Sequence, residues 1–195
     1  MSLPERKPLR LQRYDYSGAG YYFVTVCVQN KRNLLRRGTH CAPGPGFPSL
    51  SEMGETVEQT VLEIPSHYPN VKVDKYIVMP NHIHLILVLE AGNGGRTMCA
   101  PTPTLSQIVR MMKETVTKRL RQKIWQKGFY DHIIRNEADY LRIWQYIDTN
   151  PAKWEEDEYY TPDATQRLHI ETQGPWAKRG EEAILGPSRS GEDPV

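Results

Sequence analysis

The sequence predicts an α+β domain of two layers, in which helices pack on one face of an antiparallel sheet, as in ferredoxin-like and RRM-like folds. The predicted elements follow the order strand, helix, strand, strand, helix, short strand, helix. A chain of 195 residues also suits one domain with a substantial core better than two. We therefore expect one domain over residues 1–160 and a poorly ordered tail, rich in Pro, Gly and charge, over residues 161–195.

The first half of the domain contains a strand, a helix and a longer extended segment. β-Branched and aromatic residues predict a strand over residues 21–28. Ser51 is the expected N-cap of a helix with apolar residues at helical spacing, and Pro65 is expected to end it. A second strand begins at Val71 and continues towards Pro80. Because proline has no N–H to donate, we expect a bulge or a break in the strand there.

The second half begins after a loop rich in Gly and Pro. A helix is predicted over residues 106–122, with Ser106 as its N-cap. A short strand follows at residues 130–134. Asn136 is the expected N-cap of a last helix over residues 137–149.

The formal net charge of +2 gives no global argument for nucleic-acid binding, but the charge is unevenly distributed. The second helix and the residues after it are basic, with Glu114 as the one acid. The basic residues Lys113, Lys118, Arg119, Arg121 and Lys123 are candidates for contacts with the backbone of a nucleic acid. The alternative is that each is an ordinary solvated surface residue.

Cysteine usage and hydropathy bear on the compartment. Cys27, Cys41 and Cys99 have no CxxC spacing and are odd in number, which argues against a disulfide framework or a zinc cluster. No apolar run is long enough to cross a membrane, and the N-terminus has no hydrophobic signal core. We expect a soluble, cytoplasmic protein with no membrane partner.

Two histidines stand in an apolar run over residues 76–89. In a strand, His82 and His84 point to the same face, whereas Ile83 points to the other. Imidazoles at this spacing can share a metal ion. The alternative is a pair of hydrogen-bonded residues on a half-buried face, but two imidazoles among aliphatic residues destabilise a fold unless each finds a partner.

The segment Met79-Pro80-Asn81-His82-Ile83-His84-Leu85-Ile86 resembles the HUH motif of single-tyrosine transposases, in particular the REP-associated tyrosine transposases, in which two histidines flank a hydrophobic residue. Residues 125–136, followed by residues 146–151, are similar to the C-terminal signature of that group. The resemblance extends from about Tyr14 to Trp154. It implies the same α+β fold, with the paired histidines on a central strand.

The last helix carries two stripes. Spacing i, i+3, i+4, i+7 predicts a core-facing stripe of Tyr140, Ile143, Trp144 and Ile147. A second, more polar stripe consists of Arg142, Tyr146 and Asn150. An arginine one turn before a tyrosine could bind phosphate oxygens as a fork. A tyrosine at the edge of the core is the alternative, since the chain has 11 tyrosines.

The resemblance implies that Tyr146 is the nucleophile, with Tyr130 and Tyr140 as lower-ranked candidates. Related insertion-sequence transposases have a glutamine as a further metal ligand one turn after the tyrosine. Here that position holds Asn150, which is one methylene shorter, so the third ligand is open. His132 could contact DNA or fix the turn before the last helix. Trp125 and Phe129 could stack on unpaired bases or belong to the core.

The function implied is a metal-dependent transesterase acting on single-stranded or hairpin DNA. A phenol has a pKa near 10, so it needs a cation or a base to react at neutral pH. Mg²⁺ or Mn²⁺ held by His82 and His84 would polarise the phosphate, and attack would give a 5′-phosphotyrosine and a free 3′-OH. A monomer and a homodimer are both open. The alternatives are a non-catalytic single-strand-binding domain derived from a transposase, and a purely structural histidine pair in a decayed relative.

Overall fold

A computed structural model describes residues 14–36, 49–91 and 103–161 of the chain. Four strands and four α-helices are present in these ranges, together with two short 3-10 helices. The strands are β1 (Gly20–Cys27), β2 (Val71–Val78), β3 (His82–Leu89) and β4 (Tyr130–Ile134). The helices are α1 (Glu52–Leu62), α2 (Ile64–His67), α3 (Leu105–Leu120) and α4 (Glu137–Thr149), and the 3-10 helices are Gln29–Lys31 and Asn150–Glu156.

The strands form one sheet in the order β2-β3-β1-β4, and every neighbouring pair is antiparallel. β1 and β3 are therefore the central strands. Their register places Cys27 opposite His82 and Thr25 opposite His84. The predicted α+β class with an antiparallel ferredoxin-like sheet is confirmed.

The main core lies between the sheet and two helices. Val57 and Val61 of α1 and Met112 of α3 are fully buried in one cluster with Leu85 and Leu87 of β3. Arg119 of α3 also donates a hydrogen bond of 2.6 Å to the Glu63 carboxylate, just after α1, so the two helices are joined at one end.

The prediction that all helices pack on one face of the sheet is wrong for the last helix, α4. Ile143 and Ile147 of α4 pack with Ile86 and Ile134, a second cluster separate from the main core. Ile86 alternates with Leu85 and Leu87 along β3, so it points to the opposite face. α4 therefore covers the face that also carries His82 and His84.

Three local predictions were wrong. Pro65 does not end helical structure, because it lies in the first turn of α2, where a missing N–H costs nothing. The N-cap of α3 is Thr104 rather than Ser106: its hydroxyl accepts from the Gln107 N–H, and the Gln107 side chain accepts from the Thr104 N–H in return. Trp144 was expected in the core-facing stripe of the last helix. It is instead 38 % exposed, and the Lys75 ammonium lies 3.6 Å from its ring centroid.

Other local predictions were confirmed. The Ser51 and Asn136 side chains accept hydrogen bonds from the N–H groups of Gly54 and Asp139, as N-caps do. The strand break at Pro80 is a hairpin turn between β2 and β3. The tail predicted over residues 161–195 lies outside the described residues except for Thr161.

Candidate functional site

The two histidines converge as their spacing predicts. His82 and His84 are almost completely buried, and their Nε2 atoms are 2.9 Å apart. The pleat of β3 turns both rings to the α4 face, and the antiparallel neighbours on either side hold the strand in place. Two ring nitrogens therefore meet at one point beneath the last helix.

The opposite edges of both rings are held by polar side chains. Asn81 Oδ1 accepts a hydrogen bond of 2.9 Å from His82 Nδ1, while the Asn81 amide N–H₂ donates to the carbonyl oxygens of Lys31 and Tyr159. This puts the His82 proton on Nδ1 and a lone pair on Nε2. The Thr25 hydroxyl lies 2.9 Å from His84 Nδ1. Such contacts fix ring orientation in histidines that bind metals.

The environment keeps both imidazoles neutral. Burial, followed by the positive charge of Lys31, lowers the pKa of His82 to about 3. Burial also lowers the pKa of His84 well below its ordinary value, and His82 adds to this effect. A neutral imidazole is the form that ligates a metal ion.

Tyr146 lies directly beside this pair. Its hydroxyl is 3.4 Å from His84 Nε2 and donates a hydrogen bond of 3.3 Å to Asp157 Oδ2. Ile143 and Ile147 anchor α4 on the sheet, so the intervening Tyr146 emerges at the edge of that contact with 40 % of its surface exposed. Burial and then the Asp157 charge raise the pKa of the phenol, which is protonated at neutral pH in this arrangement.

Asp157 is the site residue that sequence reasoning missed. One ligand atom from each of His82, His84 and Asp157 lies within 4.8 Å of the others. The Asn150 amide N–H₂ donates to Asp157 Oδ2 at 3.0 Å, and Asn150 Oδ1 is buried without a hydrogen-bond partner among the described residues. In the sequence, Asp157 belongs to an acidic run that is typical of a solvated surface, so only the fold reveals its position.

These donors fit a divalent cation. Two neutral imidazoles and a carboxylate are ligand types that bind such ions. The predicted ligand Asn150 lies beside Asp157, to which its amide N–H₂ donates. Two Nε2 atoms at 2.9 Å also need either a shared proton or a cation between their lone pairs. His82, His84 and Asp157 would hold the ion.

The histidines and the tyrosine differ in accessibility. Aromatic rings cover His82, with Tyr159 at 4.7 Å and Trp154 at 5.9 Å between ring centroids. A cavity of about 420 Å³ instead opens beside Tyr146, lined also by Asn150, Asp157 and Lys153. A ligand therefore meets the Tyr146 side of the site first.

The lower-ranked tyrosines do not contact the histidine rings directly. The Tyr140 hydroxyl donates a hydrogen bond of 2.7 Å to Asp74, which is consistent with a structural role. Tyr130 begins β4, and its ring lies 6.4 Å from that of Tyr159. Among the described residues, neither tyrosine has a hydrogen bond or ring contact to the histidine pair. Tyr130 nevertheless lies on the same sheet face as His84, because both residues are paired with Thr25.

Some of the residues expected to bind DNA already form bonds within the protein, whereas others are exposed to solvent. Arg142 donates a hydrogen bond of 2.6 Å to Asp139, whose other oxygen lies 2.8 Å from His132 Nε2. Arg119 bonds to Glu63 between two helices, and the Lys113 ammonium donates to three backbone carbonyls. The remaining predicted contacts, which are solvent-exposed, are Lys118, Arg121 and Lys123.

Comparison with known proteins gives a consistent picture, although no family model matches the sequence. The chain is 34 % identical over 172 residues to an uncharacterized protein of Haemophilus influenzae, covering 80 % of this chain and 93 % of that protein. It is 27 % identical over 143 residues to a REP-associated tyrosine transposase of Escherichia coli, covering 73 % of this chain and 72 % of that protein.

A solved structure shares the fold. It is that of a REP-associated tyrosine transposase bound to a REP hairpin, with a TM-score of 0.55, 22 % identity, and coverage of 95 % of this chain and 98 % of that chain. The named relatives are REP-associated tyrosine transposases, so the chain is a homologue of these proteins and shares the fold of the solved one. None of the described helices has the length and apolar character needed to span a membrane.

Proposed function

We propose that this protein is a metal-dependent, single-strand DNA transesterase that cleaves and rejoins DNA at hairpin-forming repeats. The observation that carries the proposal is the position of the Tyr146 hydroxyl, 3.4 Å from His84 Nε2 and 3.3 Å from Asp157 Oδ2. A nucleophile needs to lie at the point where the phosphate is bound and polarised. Hairpin DNA is the proposed partner because the structurally similar transposase is bound to a REP hairpin.

In the proposed reaction, the Tyr146 oxygen attacks the scissile phosphorus. The P–O bond to the 3′ oxygen breaks, the phenol proton passes to water, and the departing 3′ oxygen takes up a proton from water. The products are a 5′-phosphotyrosine and a free 3′-OH. Attack of a 3′-OH on the same phosphorus reverses the step and rejoins strands. The bond energy is kept in the covalent link, so the reaction needs no external energy source.

The chain's own residues bind and orient the reactants. Asp157 accepts the hydrogen bond of the phenol and aligns it, and Asn150 holds Asp157 in turn. Arg142 lies one turn before Tyr146, exposed and ion-paired with Asp139 at 2.6 Å, and in the proposal its guanidinium also binds an adjoining phosphate. Bound Mg²⁺ or Mn²⁺ would supply positive charge that favours the phenolate and offsets charge on the phosphate and the departing oxygen.

The test is cleavage of labelled oligonucleotides that form hairpins, measured with Mg²⁺ or Mn²⁺ and again with a chelator. We expect metal-dependent cleavage of the hairpin substrate and none of a plain duplex. His82→Ala should abolish cleavage while the circular dichroism spectrum is retained. DNA binding without cleavage under any metal condition would favour the non-catalytic, single-strand-binding alternative.

A further inference from the structure

A second cavity lies away from Tyr146. A groove of about 530 Å³ runs along α3 beside the segment 123–129, which leads from α3 to β4. Its α3 wall is a single stripe that includes Val109, Lys113 and Thr117, since residues three or four apart share a helix face. α3 packs on the sheet face opposite to α4, so this groove is distinct from the cavity beside Tyr146.

The wall formed by segment 123–129 is firmly held. The Lys113 ammonium donates hydrogen bonds to the carbonyl oxygens of Gln126, Lys127 and Gly128, at 2.5, 3.3 and 3.1 Å. The Gln126 N–H donates to the Cys27 carbonyl at the end of β1, at 2.9 Å. The groove is therefore built by tertiary contacts, and Lys113 is a positioning residue whose charge is already bonded to the protein.

The lining combines aromatic side chains with positive charge. Phe129 is half-buried in the groove wall, and Trp125, which is 8 % exposed, presents only a small part of its ring at the groove floor. The lining also has one acidic residue, Glu114, which lies 4.0 Å from Arg110. The other charged groups of the lining are Lys113, Lys118, Lys123 and Lys127. A ligand that matches this groove has a planar apolar part and negative charge at its rim.

An unpaired nucleotide has this chemistry. Its base can stack on aromatic side chains, and the phosphates on either side can meet lysines. The groove volume lies in the range of small-ligand sites, which includes ligands of the size of a nucleotide. In a duplex the base is stacked and paired, and only its edges are available to protein.

We propose that this groove binds one unpaired nucleotide of the DNA substrate, with its base against Trp125 and Phe129 and its phosphates at Lys118, Lys123 and Lys127. The inference rests on the proposed function and adds a DNA subsite to it. The groove ends where β4 begins. Phe129 directly precedes Tyr130, whose side chain lies on the other sheet face, 6.4 Å from the Tyr159 ring, and the Tyr159 ring lies 4.7 Å from His82.

The test uses hairpin oligonucleotides with unpaired flanks and one fluorescent 2-aminopurine placed at each unpaired position in turn. We expect binding to quench the fluorescence at one position, because an aromatic ring stacks on that base. Phe129→Leu keeps apolar volume and should reduce the quenching. No response at any unpaired position in the parent protein would overturn the proposal.

A charge comparison gives an independent readout. Lys118→Gln/Lys123→Gln should weaken hairpin binding about tenfold and reduce the slope of log affinity against log salt by about 1.4, as two lost single-strand phosphate contacts predict. Lys72→Gln/Arg135→Gln removes the same charge outside the groove and should bind as the parent does. Equal affinity of the two double variants would overturn the proposal, as would tighter binding of the matching RNA hairpin.

Neither readout requires cleavage, so the proposed transesterase activity and the proposed nucleotide site can be disproved independently of each other. If the parent forms no covalent adduct but shows the quenching and the charge effect, the transesterase proposal falls and the groove stands. If the groove variants bind and react as the parent does, the groove assignment alone is wrong.

Discussion

At the scale of single residues, the site depends on the contacts that orient each histidine ring at its Nδ1 atom. Thr25→Val removes the hydroxyl that lies 2.9 Å from His84 Nδ1 and keeps the side-chain shape. We expect Mn²⁺ affinity to fall about tenfold, because groups that orient a ligand contribute at this level. Calorimetric titration of Mn²⁺ measures the change.

A matched control is Thr60→Val, which changes an equally buried threonine at α1, away from the histidines. It should reduce the unfolding free energy to a similar extent and leave Mn²⁺ affinity as it is. If Thr25→Val also leaves the affinity unchanged, Thr25 does not orient a ligand.

The neutral histidines predict how stability depends on pH. Burial lowers the pKa of both in the folded state, so the unfolded chain binds two more protons as the pH falls below about 6.5. With chelator present, the unfolding free energy should fall between pH 7 and pH 5 by about 2 kcal/mol per histidine. Urea titrations at the two pH values measure it, and His82→Gln/His84→Gln should lose this component. An unchanged pH dependence in that variant would contradict the burial account.

At the scale of elements, α4 determines where Tyr146 lies, and its start is set by one cap. Asn136→Ala removes the side-chain bond to the Asp139 N–H, which should reduce the unfolding free energy by about 1 kcal/mol. We also expect slower cleavage, because the first turn of the helix frays. Asn136→Ser keeps an N-cap and should restore both quantities. Equal unfolding free energies for the Ala and Ser variants would show that the cap is not what fixes the start of α4.

Local signals predicted some elements well and others poorly. The Asn136 cap and the strand at residues 130–134 were predicted correctly because an N-cap and the composition of a strand both depend only on residues close together in the sequence. Thr104 was missed because Ser106, two positions later, is an equally good cap by type, and the reciprocal Thr104–Gln107 bonds decide between them. Trp144 was placed in the core because spacing cannot show where the sheet edge ends.

At the scale of the whole molecule, the sheet order brings together residues far apart in the chain. The histidine pair and the α4 tyrosine were predicted as separate patterns, and their meeting depends on α4 crossing to the second face. Asp157 could not be predicted because nothing local distinguishes it from its acidic neighbours. Long-range contact, rather than sequence pattern, completes the site.

The packing of α1 offers a test of the fold as a whole. A β-carbon at Gly54 would lie 2.0 Å from the carbonyl oxygen of Leu35. Gly54→Ala should therefore destabilise by about 1–3 kcal/mol, although alanine usually stabilises a helix interior. Urea unfolding measures the sign, with Gln59→Ala on the exposed side of α1 as the control. A more stable Gly54→Ala variant would mean that α1 packs less closely than described.

The most direct measurement is peptide mapping of the covalent protein–DNA adduct formed with a hairpin oligonucleotide and Mn²⁺. We expect the adduct on Tyr146, and Tyr146→Phe should bind the same DNA with parental affinity and form none, because only the hydroxyl is removed. Tyr130→Phe and Tyr140→Phe should still form it. An adduct that persists in Tyr146→Phe and maps to Tyr130 or Tyr140 would contradict the account.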